Sequence, residues 1–441
     1  MNSVVKKVAL KTIGCKVNQY ETGTLRQSFS SNGYQIVEFG EYADFYIINT
    51  CAVTAEAERK SKQMIRKAAR INPAATIIVT GCAVESNLDD IREFKDISFI
   101  AGNSFKENIY LIINQIPSTE KFPAIFTSPI EQIRQYKEST CYSTSNRIRG
   151  IVKIQDGCNQ FCSYCIIPYL RGRARSRPVK QILSEINTLA DKGYQEVVLL
   201  GINLGSYGND LDDSQVSLFD LIRKIENITA IKRIRLSSIE LPYVNKELIN
   251  AFVYLPKLCH HLHIPLQSGD NRVLKLMNRK YTTEQYYKTV MDIKEQVPDI
   301  AITTDVITGF PGEDVNAFEN TLDLAGKIGF ARIHAFPYSE RKFNLASFLP
   351  AENEEIISKN RSREIIKLSK KLHKKFIFNN RGREGHVLIE YQGQKENTNF
   401  VCGLTDNYIK VYINNTSTPK GQMIKVKIVD GKEGYAIGEP V

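Results

Sequence analysis

Apolar and polar positions follow two rhythms along the first 116 residues. The short unbroken apolar runs VALKTIG (8–14), ADFYIINT (43–50) and TIIVTG (76–81) read as strands buried on both faces. Between the last two, AEAERKSKQMIRKAAR (55–70) has helical spacing. Strand–helix–strand order predicts a parallel sheet with helices on both faces, a domain covering 1–116. Residues 117–145 carry Pro117, Pro123 and Pro129 and then a polar Ser/Thr-rich stretch, and read as a linker. From 146 to 373 the alternation returns with a longer beat. Its candidate strands are GIVKIQ (150–155), EVVLLG (196–201), RIRLSS (233–238), HLHIPL (261–266), AITTDVIT (301–308) and ARIHAF (331–336). One of the helices between them opens at Pro178, a residue suited to a first turn. Six such units predict a complete or partial parallel (β/α) barrel. A basic amphipathic helix over 359–376 places Ile365, Leu368, Leu372 and Phe376 on one face, with lysines mostly elsewhere. After it the pattern shortens to HVLIEY, YIKVYI and MIKVKIVD with glycines between, which predicts a small β-barrel within 374–441. The fold class is therefore α/β, with a small all-β C-terminal domain.

Composition changes this picture in two ways. A 441-residue chain with 42% hydrophobic residues has material for several cores and is not a disordered chain. Its formal charge of +11 fits either a polyanionic partner or a merely soluble basic enzyme. No apolar run approaches the roughly 18 residues of a membrane span, and the first residues lack a signal-peptide core. The expectation is a cytoplasmic protein with no membrane partner. In that reducing setting, nine cysteines are more often metal ligands or catalysts than disulfides.

Six of the nine fall into two sets. Cys158, Cys162 and Cys165, in DGCNQFCSYC, follow the first barrel strand with C-x3-C-x2-C spacing. Three thiolates on one loop can hold three irons of a [4Fe–4S] cube and leave the fourth open. A structural zinc site would need a fourth ligand, and all six histidines lie from His260 onward. Cys15, Cys51 and Cys82 end TIGC, INTC and VTGC. Cysteines after three strands of one parallel sheet emerge on one edge, where ligands bind. The alternative is three separate small buried hydrophobes. Gly14 and Gly81 precede two of them and permit tight turns. Cys141, Cys259 and Cys402 show no such placement.

The C-x3-C-x2-C loop, with Tyr164 before its last cysteine, resembles that of the radical S-adenosylmethionine superfamily. The whole chain resembles the methylthiotransferase family over essentially its full length. The matching stretches include KTIGCKVNQYE (11–21), INTCAVTAEAERKSKQMIR (48–66), DGCNQFCSYCIIPYLRGRARSR (156–177), LLGINLGSYG (199–208), HLHIPLQSGD (261–270) and DVITGFPGE (305–313). The resemblance implies two [4Fe–4S] clusters, an auxiliary one on Cys15, Cys51 and Cys82 and a radical-generating one on Cys158, Cys162 and Cys165. It also implies S-adenosyl-L-methionine as cofactor, a C-terminal RNA-binding domain of the TRAM type, and a sulfur donor. An electron donor, either a small protein or another reductant, is implied as well. The substrate implied is adenosine 37 in the anticodon loop of tRNA. Lys16 and Val17 after Cys15 are similar to the branch that converts N6-threonylcarbamoyladenosine to its 2-methylthio derivative. The alternatives are isopentenyladenosine at the same position and an aspartate of a ribosomal protein. After FPYSE the stretch RKFNLASFLP (341–350) departs from the family pattern.

Further residues take roles only through that likeness. Tyr164 either contacts the cofactor's adenine or packs beside the cluster. Gly201, Asn203 and Gln267 fall at strand ends where the cofactor binds, with Ser237, Ser238, Glu240 and Ser268 as further hydrogen-bonding candidates. Arg171, Arg173, Arg175 and Arg177, in RGRARSR, have the fork geometry that suits phosphate, the alternative being a solvated loop. Lys374, Lys375, Arg381 and Arg383 stand at the entry of the β domain and are candidate tRNA phosphate contacts.

Overall fold

The computed structural model describes residues 5–115, 123–133, 135–136, 148–211, 216–341, 344–350, 355–395, 398–414 and 416–441. Cys141 and most of the stretch 117–145 lie outside the described residues.

The N-terminal sheet has six parallel strands: β1 (Lys7–Thr12), β2 (Gln35–Val37), β3 (Phe45–Thr50), β4 (Thr76–Gly81), β5 (Phe99–Ala101) and β6 (Ala124–Phe126). Their order is β2-β1-β3-β4-β5-β6. The three strands predicted from apolar runs are β1, β3 and β4, its central members. β6 corrects the linker reading, because Ala124–Phe126 pairs with β5 and extends the sheet. Three residues on a sheet edge, half exposed, leave no apolar run to read. The predicted helix spans Ala55–Ile71, and its Thr54 cap accepts a hydrogen bond from the Ala57 amide at 3.2 Å.

Eight strands belong to the central domain: β7 (Gly150–Lys153), β8 (Gln155–Asp156), β9 (Arg175–Ser176), β10 (Glu196–Leu200), β11 (Arg233–Leu236), β12 (His261–His263), β13 (Ala301–Thr308) and β14 (Arg332–Pro337). β11, β10 and β7 form one parallel sheet and β12, β13 and β14 another. Backbone bonds at Ile234–Lys257, Cys259–Ile234 and Ile239–His263 join them into a six-stranded partial barrel. Alternate residues divide cleanly. Val152, Val197, Leu199, Ile234, Leu262, Ile302, Val306 and Ile333 enter the core shared with the outer helices. Their neighbours Ile151, Val198, Arg235, His261, His263, Thr303, Asp305 and His334 face the lumen.

The open edge of the barrel at β7 is met by the helix Lys16–Ser31 of the N-terminal domain. Its Tyr20 packs against the lumen-side residues Ile151, Val198 and Leu200. The opposite end is closed by the C-terminal domain, a closed barrel of β15 (Glu384–Lys395), β16 (Thr398–Leu404), β17 (Lys410–Asn414), β18 (Met423–Lys432) and β19 (Tyr435–Pro440). The long helix Glu355–Asn379 joins the two, with Ile365 in the central core and Ile377 in the terminal one. The loop after β16 plugs the floor of the central barrel. Tyr408 stacks edge-on to His261 at 4.4 Å and lies 3.9 Å under the Arg235 guanidinium. Arg235 also donates to the carbonyls of Thr405 and Asp406.

Candidate iron–sulfur centres and the junction between them

Cys15, Cys51 and Cys82 follow β1, β3 and β4, three adjacent strands, and converge on one edge of the sheet. Gly14 and Gly81 have φ of +97° and +101°, the left-handed region in which glycine is at ease. A Cβ built on Gly14 would stand 2.7 Å from the Cys51 sulfur, so the turn leaves room for that thiol alone. Asn18 braces the turn, donating to the carbonyls of Ile13 and Thr50 at 2.9 Å each. Cys51 and Cys82 are buried and Cys15 is exposed, so the set opens on one side. Burial pushes the Cys51 thiol up to about 11, with Cys82 and Cys15 adding to the rise. Cys82 is raised for the same first cause.

The second set sits at the carboxyl end of the barrel, on the loop after β8. Burial, then the neighbouring Cys162, pushes Cys158 up to about 11, and Cys165 rises further for the same reasons. Sulfurs crowded in dry surroundings resist ionising together, and a bound cation reverses that balance. The donor sets therefore fit iron. Among the described residues neither triad has all three sulfurs within 4.8 Å of one another. Among the described residues the one group of donors tight enough for a single ion is His260, Asp299 and Asp406. Arg383 already occupies it, donating to Asp299 and Asp406.

Around the barrel set, the Arg279 guanidinium donates to Cys162 Sγ and to Tyr164 Oη, at 3.3 Å each, and pairs with Glu240. Tyr164 packs with its ring among Val273, Met277, Phe310 and Ala346. Gln155 is fully buried. It donates to the Asp156 and Gly157 carbonyls and accepts from the Asn203 amide at 2.9 Å, tying the cysteine loop to the loop after β10. The Gly201 amide faces Ser237 Oγ at 3.4 Å, and Asn203 Oδ1 is buried without a partner among the described residues. Gln267 has φ +67° and joins β13 by backbone bonds to Asp305 and Ile307. The unusual stretch 341–350 lies on the cysteine loop. Asn344 donates to the Tyr164 carbonyl, the Ala346 amide donates to the Ser163 carbonyl, and Arg341 pairs with Glu58 at 2.9 Å. Lys342 and Phe343 lie outside the described residues.

The arginines after the cysteine loop correct the phosphate reading. Arg171, Arg175 and Arg177 are buried, at 2%, 6% and 0% exposure. Arg171 bonds Glu21 at 2.8 Å, Asp156 at 3.1 Å and Asn18 at 2.8 Å, and so links the Cys15 helix to the Cys158 loop. Lys153 and Lys106 complete the network on Glu21. Burial alone would raise the Glu21 carboxyl. Arg171, Lys106 and Lys153 outweigh it and hold the group well below the usual carboxylate range. Arg175 donates to the Arg171 and Arg173 carbonyls, and Arg177 pairs with Glu185. Only Arg173 of the four is exposed, over the Phe161 ring at 4.6 Å. Arg383 is likewise engaged, in docking the β domain, whereas Lys374, Lys375 and Arg381 are exposed. Arg279, Gln155 and Glu21 went unmarked in the sequence. Each is an isolated polar residue whose partners are distant in the chain.

A parallel-sheet domain and a partial barrel, each presenting three cysteines at strand ends, define an iron–sulfur enzyme of the radical S-adenosylmethionine class. Residues 152–325 match the model of the radical SAM superfamily, 7–102 that of the uncharacterized protein family UPF0004, and 379–441 that of the TRAM domain. The chain is 38% identical to the threonylcarbamoyladenosine tRNA methylthiotransferase MtaB of Bacillus subtilis (strain 168), over 98% of this chain and 95% of that one. It is 36% identical to the MtaB of Aquifex aeolicus (strain VF5), covering 92% and 96%. It is 34% identical to the tRNA-2-methylthio-N(6)-dimethylallyladenosine synthase of Thermoanaerobacter sp. (strain X514), covering 98% and 92%. The chain belongs to the methylthiotransferase family of radical SAM enzymes. Among solved structures, the radical S-adenosylmethionine methyltransferase TsrM of Kitasatospora setae shares the fold, with a TM-score of 0.57 at 14% identity, covering 78% and 77%.

Proposed function

We propose that this protein converts N6-threonylcarbamoyladenosine at position 37 of tRNA to its 2-methylthio derivative. The carrying observation is the pair of three-cysteine sets, on two domains locked together by the Arg171 network, in a chain aligned end to end with MtaB relatives. When bound, the barrel cluster and one S-adenosylmethionine would supply a carbon-centred radical, a second S-adenosylmethionine the methyl group, and the N-terminal cluster would carry or relay the sulfur. The chain's own residues do the positioning. Cys158, Cys162 and Cys165 hold one centre, and Cys15, Cys51 and Cys82 the other. Gly201, Asn203 and Gln267 would contact S-adenosylmethionine, with Tyr164 packed beside the cysteine loop. Lys374, Lys375, Arg381 and Arg173 are exposed cations available to tRNA phosphates. A reductant and a sulfur donor complete the reaction, in the cytoplasm. Among the described residues no helix is long and apolar enough to cross a membrane.

The test is anaerobic. Reconstituted protein, S-adenosylmethionine, dithionite and sulfide act on tRNA from cells lacking methylthio modifications, and the nucleosides are read by mass spectrometry. The expected product is the methylthio derivative of threonylcarbamoyladenosine, absent with Cys15→Ala or Cys162→Ala. Methylthio-dimethylallyladenosine instead would favour the activity named for the Thermoanaerobacter relative. Release of 5′-deoxyadenosine with no new nucleoside would point to the ribosomal-protein aspartate.

A further inference from the structure

The outer face of the C-terminal barrel breaks the usual alternation. Val401, Val411, Ile413 and Ala436 belong to the core inside it. Their alternates, on the outside of a small barrel, should be polar. Instead four rings run across β15, β16, β17 and β19. Tyr391 lies 5.9 Å from Phe400, Phe400 5.8 Å from Tyr412, and Tyr412 5.0 Å from Tyr435, centroid to centroid. None of the four is part of the inner core, and Tyr391 is 54% exposed. Phe400 lies over Gly393, its cross-strand partner, where a Cβ would stand 2.6 Å from the ring. Two exposed lysines stand over rings of this row. Lys410 Nζ is 5.0 Å from the Tyr412 centroid and Lys420 Nζ is 5.8 Å from that of Tyr391. Gln392 donates to the carbonyls of Ser417 and Thr418 and so holds the Lys420 loop against β15. Glu390, next to Tyr391 in the chain, is taken up by Arg149 at 2.7 Å. The end of β16 is pinned to the central barrel, where Arg233 donates to the Leu404 carbonyl at 3.1 Å and Arg235 to that of Thr405 at 3.2 Å.

We propose that this outer face is a stacking surface for unpaired nucleobases of the RNA substrate, with Tyr391, Phe400 and Tyr412 taking the bases and Lys410 and Lys420 the phosphates beside them. The assignment rests on the tRNA reading above and adds a second contact, separate from the cysteine loops and from the cations at the domain's entry. Every nucleobase has a π face, so a row of rings on a sheet holds single strands with little regard to sequence, whereas a paired duplex keeps those faces stacked on one another. Lysines among the rings and a formal charge of +11 on the chain favour a polyanion over an apolar protein surface. Because Arg233 and Arg235 pin β16 and the loop after it to the barrel, bases held here stand at a fixed distance from the cysteine loops. The face therefore sets which stretch of the RNA lies over the barrel mouth.

The chain has no tryptophan, so Phe400→Trp places a single indole in the row. Reconstituted full-length protein carrying it is titrated with a labelled anticodon stem-loop, with a fully paired RNA duplex and with heparin. Stacking predicts saturable quenching by the stem-loop, little by the duplex and none by heparin, which is a polyanion without bases. Tyr391→Ala, at the most exposed ring, should raise the Kd of the stem-loop about tenfold, and KM for tRNA with it. Tyr391→Phe should leave both unchanged, since the ring and not the hydroxyl takes the base. Lys420→Ala should instead lower the slope of log Kd against log salt by about one. Quenching by heparin or duplex equal to that by the stem-loop, or unchanged emission while the labelled stem-loop is bound, overturns this assignment and leaves the proposed function standing. Saturable quenching by the stem-loop alone, with no methylthio product from wild-type protein, keeps the stacking face and overturns the reaction.

Discussion

Gly14 separates two sulfur-bearing turns by the width of a missing side chain. Its φ of +97° and the 2.7 Å approach of a built Cβ to Cys51 Sγ leave no place for a methyl group. Gly14→Ala should therefore cost the N-terminal centre alone. Iron and labile sulfide per chain should fall by about half while the barrel cluster's resonance persists. Arg171→Met makes the complementary change at the junction. It leaves Glu21 and Asp156 buried with fewer cations, and breaking a buried pair in this way costs about 3–5 kcal/mol. Denaturant unfolding should show that loss. The placement of the six cysteines at strand ends and on one loop was legible because its signal is local, either spacing on that loop or position after a strand. Arg171 was misread because sequence displays a charge but not its burial, and its partner Glu21 lies 150 residues away.

Elements with a strong period were legible, and those made by docking were not. The six barrel strands and the helix over 55–70 carry their own apolar rhythm. β6 and the floor-plugging loop after β16 exist because something else is there to pair with. That loop is latched by Arg383, Asp299, His260 and Asp406. Burial pushes Asp406 up, but the hydrogen bonds and charge of Arg383 outweigh this and hold it at about 2. The hydrogen bond to Asp299 raises His260 above its ordinary 6.5. The signs differ. Asp406 contributes stability above its ordinary 3.8 and loses it as pH falls toward about 2. His260 contributes fully below 6.5 and loses its share as pH rises through the raised value. The midpoint for thermal release of the β domain should thus peak between these limits in calorimetry. Asp406→Asn should flatten the acid limb and His260→Ala the alkaline one.

At the scale of the molecule, three domains make one working chamber, and neither the N-terminal sheet nor the barrel completes it alone. Domain order was legible from composition and motif. The helix Lys16–Ser31 lying against an open barrel edge was not, since nothing in its own sequence names β7 as its neighbour. Cys15 is exposed, so an oxygen-labile centre there has little cover. Exposure to air should abolish turnover and bleach the visible absorbance while far-ultraviolet circular dichroism stays unchanged. The Tyr408 floor has a kinetic consequence. With the helix along one edge and the β domain beneath, the cysteine-loop side is the approach that the proposed reaction would use. An anticodon loop seated over that approach would hold methionine and 5′-deoxyadenosine behind it, and turnover would then be paced by how long the tRNA lingers.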